Sequence, residues 1–350
     1  MSLDCFNKSS IDNKIYNKNI NNKKTKENLK KKSVIYKYFK NLKLKIYSVL
    51  ILVISISSLF YFIKNKNFKN NCLFNKKKQN ISDFKMKHAI LVLSSYGLDY
   101  LNNFLYQFNN DSRFDIYIHI SGKSQIDFKN GAKILNSNIK YINNIHNSTR
   151  FSIEMVDAMY DIMSIANSKY NYDFYHFFSE SCYLVKSLDY IYNYFYNNKL
   201  NSFVEHFIHN KFLYKNQSNL LYKGSQWMSL NHVIVKKLLK RKDLFIKYKN
   251  EIKKGIITID YGAPDEFIFQ HIIVKDICKE ATKKCNIIYN NLRFVRWRNC
   301  EKEYCPNFLN IYNVSEEEIN YIRKKFLVIR KINYKDPKAI ELIKKIKSLS

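Results

Sequence analysis

The chain contains few glycine, proline and acidic residues. Only 6 glycines and 3 prolines occur among 350 residues, which excludes a collagen-like protein and a glycine-rich linker. Aspartate and glutamate number 29 against 60 lysines and arginines, so the formal net charge is +31. The length is sufficient for one sizeable hydrophobic core or for two small domains.

The positive charge does not by itself indicate a nucleic-acid partner. Proteins that bind nucleic acid concentrate lysine and arginine on one face or stripe. Here the lysines are spread with asparagine, isoleucine and tyrosine along the whole chain, and neither a zinc-finger spacing nor an RNP-like motif is present. We interpret the charge as a compositional bias and expect no nucleic-acid partner.

Residues 46–63 form an uncharged apolar run of 18 residues, at the short end of what spans a bilayer. The run is apolar on all sides, which favours a single-pass transmembrane signal-anchor over a buried core helix. The region before it is too long for a signal peptide, and no cleavage site of small residues follows. Residues 1–45 are rich in lysine and asparagine and predict a disordered tail. Residues 64–86 predict a stem.

Lysines flank the apolar run on both sides, so the positive-inside rule does not decide its orientation. Six of the seven cysteines follow the run, which permits disulfides in an oxidising compartment. The expected local pairs are Cys278 with Cys285 and Cys300 with Cys305. Glycosylation sequons also follow the run, although a chain so rich in asparagine makes them by chance; they are at Asn80, Asn147, Asn216 and Asn313.

From residue 87 onwards, strand-like apolar runs alternate with helical periodicity. The predicted strands are 88–94, 114–120, 139–142, 173–178, 202–207 and 292–297, with a turn and strand in 222–230. The predicted helices are 98–108, 151–166, 188–196, a basic helix ending at Lys240, and a last helix 316–325 with Ser315 and Glu318 as a capping box. This alternation predicts an α/β fold whose mostly parallel sheet binds ligands at the carboxyl ends of its strands.

Residues 261–270 predict a turn followed by a helix that begins at Pro264, where a missing N–H costs nothing. Asp265 and Glu266 then fall in the first turn, where the helix dipole favours negative charge. A glutamate held there can be rigid, ionised and accessible, as a general base must be. The alternative is a helix start with ordinary charge complementarity.

Five short motifs follow one another in the region past residue 87: IYIHI at 116–120, YDFYHF at 172–177, GSQW at 224–227, PDE at 264–266 and LRFVRW at 292–297. In this order they resemble the core-2/I-branching glycosyltransferases, which include β-1,6-N-acetylglucosaminyltransferases and peptide O-xylosyltransferases. The resemblance covers roughly residues 87–347.

The resemblance implies a GT-A-like fold and an inverting transfer of a sugar from a UDP-sugar to a hydroxyl of a glycan or glycoprotein. It also implies a type II membrane protein of the Golgi, with residues 87–350 as the lumenal glycosyltransferase domain and residues 1–45 in the cytosol. The expected sugar is N-acetylglucosamine in β-1,6 linkage. A xylosyltransferase-like or other-donor member is the alternative, and a degenerate glycan-binding member is another.

Glu266 matches the catalytic base of the family. Arg293 and Lys331 match basic residues that neutralise the donor diphosphate, although a solvated charge is the alternative for each. Many GT-A enzymes bind a metal ion through an Asp-x-Asp motif, which this chain does not contain. The family that it resembles uses basic side chains instead, so the resemblance implies neither a metal nor another cofactor. The matching acceptor-binding residues are Glu205, Gln226 and Trp227; a strand-edge charge is the alternative for Glu205, and core packing for Trp227.

The chain also departs from the family pattern. Ser121 replaces an aspartate near the uridine, and the segment 179–184 lacks the glycine, aspartate and proline of Ser-Gly-x-Asp-x-Pro. Glu180 stands where that glycine is expected, which could reshape the pocket. The tryptophan expected near residues 147–150 is missing. These departures bear on the identity of donor and acceptor more than on the fold.

Overall fold

The computed structural model describes residues 86–108, 111–121, 138–208, 212–214, 221–259, 263–278, 285–290, 292–296, 308–310 and 312–348. The predicted tail, the predicted membrane anchor and the predicted stem up to residue 85 lie outside these ranges, as do Cys300 and Cys305. Within the described ranges, every helix is too short or too polar to cross a membrane.

The described residues form short strands in four sheets. In chain order the strands are β1 (His88–Ser94), β2 (Phe114–Ile120), β3 (Ile139–Asn143), β4 (Phe174–Ser179), β5 (Cys182–Leu184), β6 (Asn201–Phe203), β7 (Phe207–Ile208), β8 (Phe212–Tyr214), β9 (Tyr222–Lys223), β10 (Ser229–Asn231), β11 (Ile257–Ile259), β12 (Asn286–Ile288), β13 (Arg293–Val295) and β14 (Val328–Arg330).

The main sheet has seven strands in the order β12-β6-β10-β4-β1-β2-β3. Strands β4, β1, β2 and β3 run parallel, whereas β10 is antiparallel to both of its neighbours. Every residue of β1, β2 and β4 is buried, which explains their near-continuous apolar sequences. The predicted α/β class with a mostly parallel sheet is therefore confirmed.

Helices cover both faces of this sheet. In chain order the α-helices of the described residues are α1 (Leu98–Tyr106), α2 (Ile153–Lys169), α3 (Leu188–Asn197), α4 (His232–Lys240), α5 (Lys242–Lys253), α6 (Ile268–His271), α7 (Glu316–Lys325) and α8 (Pro337–Ser348), and the first six pack on this sheet. One core cluster joins α2, α4, α5 and α6 to the sheet, and another joins α1 and α3 to its opposite face.

A smaller sheet, β13-β14-β5, packs with α7 and α8 around a third core cluster. The capping box of Ser315 and Glu318 is present at the start of α7. The prediction that α7 is the last helix was wrong, because α8 follows it. Its buried residues Ala339, Leu342, Ile343 and Ile346 carry helical spacing that a high lysine content obscured in the sequence.

The helix predicted from Pro264 is not one regular α-helix. Pro264–Glu266 is a 3-10 turn, Ile268–His271 is one α-helical turn, and Ile272–Ile277 is π-helical. Glu266 therefore projects from a separate tight turn and not from the first turn of a long helix. π-helical segments occur frequently at functional sites.

A backbone contact at Gly224, just after β9, holds two loops together. A Cβ atom at Gly224 would lie 1.7 Å from the carbonyl oxygen of Glu205. The Gly224 N–H also donates a hydrogen bond to the carbonyl oxygen of Glu266, at 2.8 Å. Only glycine fits between these two backbones.

We predict that Gly224→Ala lowers the free energy of unfolding by about 3 kcal/mol. The new methyl group would clash with the Glu205 carbonyl oxygen, and only a movement of the backbone could remove this clash. Chemical denaturation of the purified protein measures this change. The matched control is Gly255→Asn, at a position with φ 64° and open space around it, where asparagine should cost less than about 1 kcal/mol. Equal stability of the two variants would contradict the contact.

Candidate active site around Glu266

Glu266 lies in the turn that precedes α6, and its side chain is 25% exposed. Its Oε2 atom is 3.2 Å from Nζ of Lys223, the last residue of β9. The ion pair orients the carboxylate while leaving part of it open to solvent. Such a carboxylate can accept a proton from a bound hydroxyl group.

The contact at Gly224 brings the expected acceptor residues into the same neighbourhood. Glu205 lies against Gly224, and the loop that follows contains Gln226 and Trp227. The side-chain amide of Gln270, on α6, donates to the carbonyl oxygen of Ser225 at 2.7 Å and so fixes this loop against the helix. Glu205 and Gln226 are half-buried. Their role in acceptor binding stays a prediction.

Asp265 is buried beside Glu266, and its Oδ1 atom has no hydrogen-bond partner in the described structure. Burial, and next the charge of Glu266, raise the pKa of Asp265 to about 7, against the opposing charges of Lys223 and Arg150. Two neighbouring carboxyl groups therefore differ in environment: one is buried, and the other is ion-paired and partly exposed.

Trp227 is 6% exposed and packs in the core cluster under α2 and α4. The guanidinium group of Arg330, at the end of β14, lies over its ring at 4.5 Å from the centroid. Arg330 Nε also donates to Oγ of Ser179 at 3.2 Å. This position favours packing as the main role of the indole ring; contact with an acceptor stays a prediction.

Arg293 is buried, with 4% of its surface exposed. Its guanidinium donates to the carbonyl oxygens of Phe177, at 2.6 Å, and of Trp227, and lies over the Phe178 ring. Burial lowers the pKa of Arg293 to about 10, so the group stays charged at neutral pH. The solvated charge considered for Arg293 was wrong, and its place inside the protein favours a structural role.

Lys331 follows Arg330 directly and lies between two aromatic rings. Its Nζ atom is 4.7 Å from the ring centroid of Tyr96 and 4.6 Å from that of Phe308. Cations are attracted to the faces of such rings. Arg330 and Lys331 thus form an adjacent pair of cations at the end of β14.

The structure adds residues that the sequence interpretation had not assigned to the site. They are Lys223, beside Glu266; Arg330, over Trp227; and Arg150, whose charge acts on both Asp265 and Tyr96. Lys223 directly precedes the GSQW motif, and Arg330 directly precedes the assigned residue Lys331, so a search of the adjacent positions would have found both. Arg150 carries no such signal.

Two further expectations concern metals and disulfides. Among the described residues, no group of three or more histidine, cysteine, aspartate or glutamate side chains could hold a metal ion. Cys278 and Cys285 are not bonded to each other in this structure, and Sγ of Cys285 lies 3.8 Å from the carbonyl oxygen of Ile277. A disulfide between these two cysteines stays a prediction.

The family model of the core-2/I-branching enzymes matches residues 91–323. The chain belongs to this family. The match extends from β1 into α7, so it includes Glu205, Glu266 and Arg293 but ends before Arg330 and Lys331. Membership in the core-2/I-branching family supports sugar transfer as the activity.

Solved structures resemble the chain only weakly. A galactosyltransferase LgtC in complex with donor and acceptor sugar analogs is 11% identical with a TM-score of 0.34, covering 73% of this chain and 96% of that one. HddC from Yersinia pseudotuberculosis is 14% identical with a TM-score of 0.25, over 43% and 80% of the two chains. The comparison with curated proteins gave no match. These similarities say nothing about the substrate.

We predict that Asp265→Asn stabilises the protein more at pH 8 than at pH 5. Because the pKa of Asp265 rises from 3.8 to about 7 on folding, its contribution to stability is full below the lower value and is lost as pH rises through the higher one. The melting temperature of the variant should exceed that of the wild type by about 3 °C or more at pH 8, since 1 kcal/mol shifts it by about 2–4 °C.

The control for this experiment is Asp243→Asn, because Asp243 is exposed on α5. Its melting temperature relative to the wild type should not change between pH 5 and pH 8. A pH-independent difference for Asp265→Asn would contradict a buried carboxyl group that ionises near neutrality.

Proposed function

We propose that the protein is an inverting, metal-independent glycosyltransferase that moves a sugar from a UDP-sugar to a hydroxyl group of a glycan. N-acetylglucosamine in β-1,6 linkage is the proposed transfer. The observation that carries the proposal is Glu266, a partly exposed carboxylate oriented by Lys223 at 3.2 Å and next to the loop of Gln226. Family membership supports the general reaction.

In the proposed mechanism Glu266 removes the proton from the acceptor hydroxyl as its oxygen attacks the anomeric carbon. The bond between that carbon and the UDP oxygen breaks in the same step, and UDP leaves with the electron pair. The sugar acquires oxocarbenium character and its configuration inverts. Glu205 and Gln226 are the proposed contacts for the acceptor hydroxyl groups.

The leaving UDP carries the negative charge that must be stabilised. We assign this role to Arg330 and Lys331, whose adjacent cations can act without a metal ion. Arg293 matches the family residue by sequence, but its guanidinium already binds the carbonyl oxygens of Phe177 and Trp227. We therefore propose that Arg293 supports the site from within and does not contact the diphosphate.

Two alternatives differ in donor or in activity. The GSQW and LRFVRW motifs also suit a peptide O-xylosyltransferase-like member, so xylose is the second candidate donor. The altered segment 179–184 suits a degenerate member that binds glycans without turnover. Under the main proposal the protein is anchored in the Golgi membrane by residues 46–63, with its active site in the lumen.

We predict that Glu266→Gln lowers kcat by a factor on the order of 10² or more and leaves UDP binding nearly unchanged, because the amide cannot accept the proton. Transfer from UDP-N-acetylglucosamine, UDP-xylose and UDP-glucose to mucin-type and peptide acceptors measures the turnover. The control is Glu317→Gln, an exposed glutamate on α7. Unchanged turnover would remove Glu266 from the mechanism. UDP binding without any transfer would favour an untested donor, and the absence of both UDP binding and transfer would favour the degenerate member.

We predict that Arg330→Met weakens UDP binding by about tenfold or more in the presence of EDTA, because a charged hydrogen bond contributes about 1.5–3 kcal/mol. Methionine keeps an unbranched chain to pack on Trp227 and removes the charge together with the hydrogen bond to Ser179. Isothermal titration calorimetry measures the change, with Lys324→Met on the exposed face of α7 as the control. A strict manganese requirement for UDP binding would overturn the metal-free assignment.

A further inference from the structure

Glu180 is a buried carboxylate that the proposed mechanism does not use. It directly follows β4, at the carboxyl end of the parallel strands, and is 0% exposed. Its Oε1 atom accepts hydrogen bonds from the backbone N–H groups of Ser95 and Tyr96, the latter at 2.5 Å. Its Oε2 atom has no hydrogen-bond partner within the described residues. Burying a carboxylate is costly, so its presence requires a physical reason.

The two N–H groups belong to the turn that leads from β1 into α1. Both donate to the same carboxylate oxygen, so Glu180 fixes the position of Tyr96 relative to β4. The Tyr96 ring also stacks on Tyr100, with the ring centroids 5.3 Å apart. Tyr100 in turn donates a hydrogen bond to the side-chain oxygen of Asn333. The turn is thus held from β4 on one side and from the segment after β14 on the other.

Tyr96 is one of the two rings that enclose the ammonium group of Lys331. A chain of contacts therefore runs from the Glu180 carboxylate through the Tyr96 backbone to the Tyr96 ring and on to Lys331. The neighbouring cation is held from the same part of β4, because Arg330 donates to Ser179.

We propose that Glu180 is a positioning residue for the anion site: its carboxylate holds Tyr96 so that the ring fixes the Lys331 ammonium group for the donor diphosphate. This inference rests on the proposed function, in which Lys331 binds that diphosphate. Glu180 itself does not contact the substrate. It acts as the hydrogen-bond acceptor that a glycine at this position would lack.

The role of Glu180 depends on an acceptor oxygen more than on a full negative charge. Burial raises the pKa of the Glu180 carboxyl, whereas the N–H groups of Ser95 and Tyr96 and the charge of Arg330 lower it. A neutral amide keeps an oxygen for the two N–H donors at the same distance from the backbone. Alanine removes the acceptor of both donors, and a hydrogen bond to a charged group contributes about 1.5–3 kcal/mol.

The first experiment measures UDP binding to the full-length protein by calorimetry. Glu180→Gln should bind UDP within about twofold of the wild type, and Glu180→Ala about tenfold more weakly. Glu317→Ala, at an exposed position, controls for the loss of a glutamate. Unchanged UDP binding by a folded Glu180→Ala variant would overturn the inference and leave the proposed function standing.

The second experiment does not depend on UDP. Reductive methylation with ¹³C-formaldehyde labels the lysine amino groups, and the Lys331 signal is identified by its loss in Lys331→Arg. Ring currents from Tyr96 and Phe308 should displace this signal in the wild type and in Glu180→Gln. The displacement should collapse in Glu180→Ala. A signal that keeps its displacement in that variant would overturn the inference whatever UDP does.

Tyr96→Leu provides the test if Glu180→Ala does not fold. It keeps the Glu180 hydrogen bonds and removes only the ring, so both the displaced Lys331 signal and tight UDP binding should be lost. Retention of both would overturn the inference. Collapse of the displaced signal in a protein whose wild type binds no UDP would uphold the contact chain and reject the proposed function instead.

Discussion

The buried guanidinium group of Arg293 is the interaction on which the site's architecture depends. It is carried by the first residue of β13 and bonds the carbonyl oxygens of Phe177, on β4, and Trp227. The small C-terminal sheet is thereby tied to the main sheet and to the loop before β10. Because β14 pairs with β13, the hydrogen bonds of Arg293 also position Arg330 over the indole ring of Trp227.

The acidic and the basic residues of the candidate site lie on two different parts of the fold. The carboxylates of Asp265 and Glu266 lie on the turn before α6, which the main sheet and its helices hold. The cations of Arg330 and Lys331 lie on the end of β14, which belongs to the small sheet. In the proposed mechanism, Glu266 accepts the proton of the acceptor hydroxyl group, and Arg330 and Lys331 bind the anionic leaving group.

The sequence alone predicted those parts of the fold whose local residue pattern agrees with their environment in the folded protein. Strands β1, β2 and β4 are buried on both faces and read as apolar runs, and the start of α7 carries its own cap. The order of motifs likewise identified the family. The interior position of Arg293 could not be predicted, since a charged side chain in a short strand gives no local sign of burial. The division of the Pro264 helix into three helical types was equally hidden, because its apolar spacing suits an ordinary α-helix.

The end of the chain contributes more than a last helix to this molecule. Tyr96, Glu180, the turn of Glu266 and the pair Arg330–Lys331 come from four distant parts of the sequence, and the cations come last. The proposed anion site therefore cannot form until synthesis has passed β14. A nascent or shortened polypeptide that ends before β14 would already contain Glu266 but would lack both cations proposed to bind the donor diphosphate.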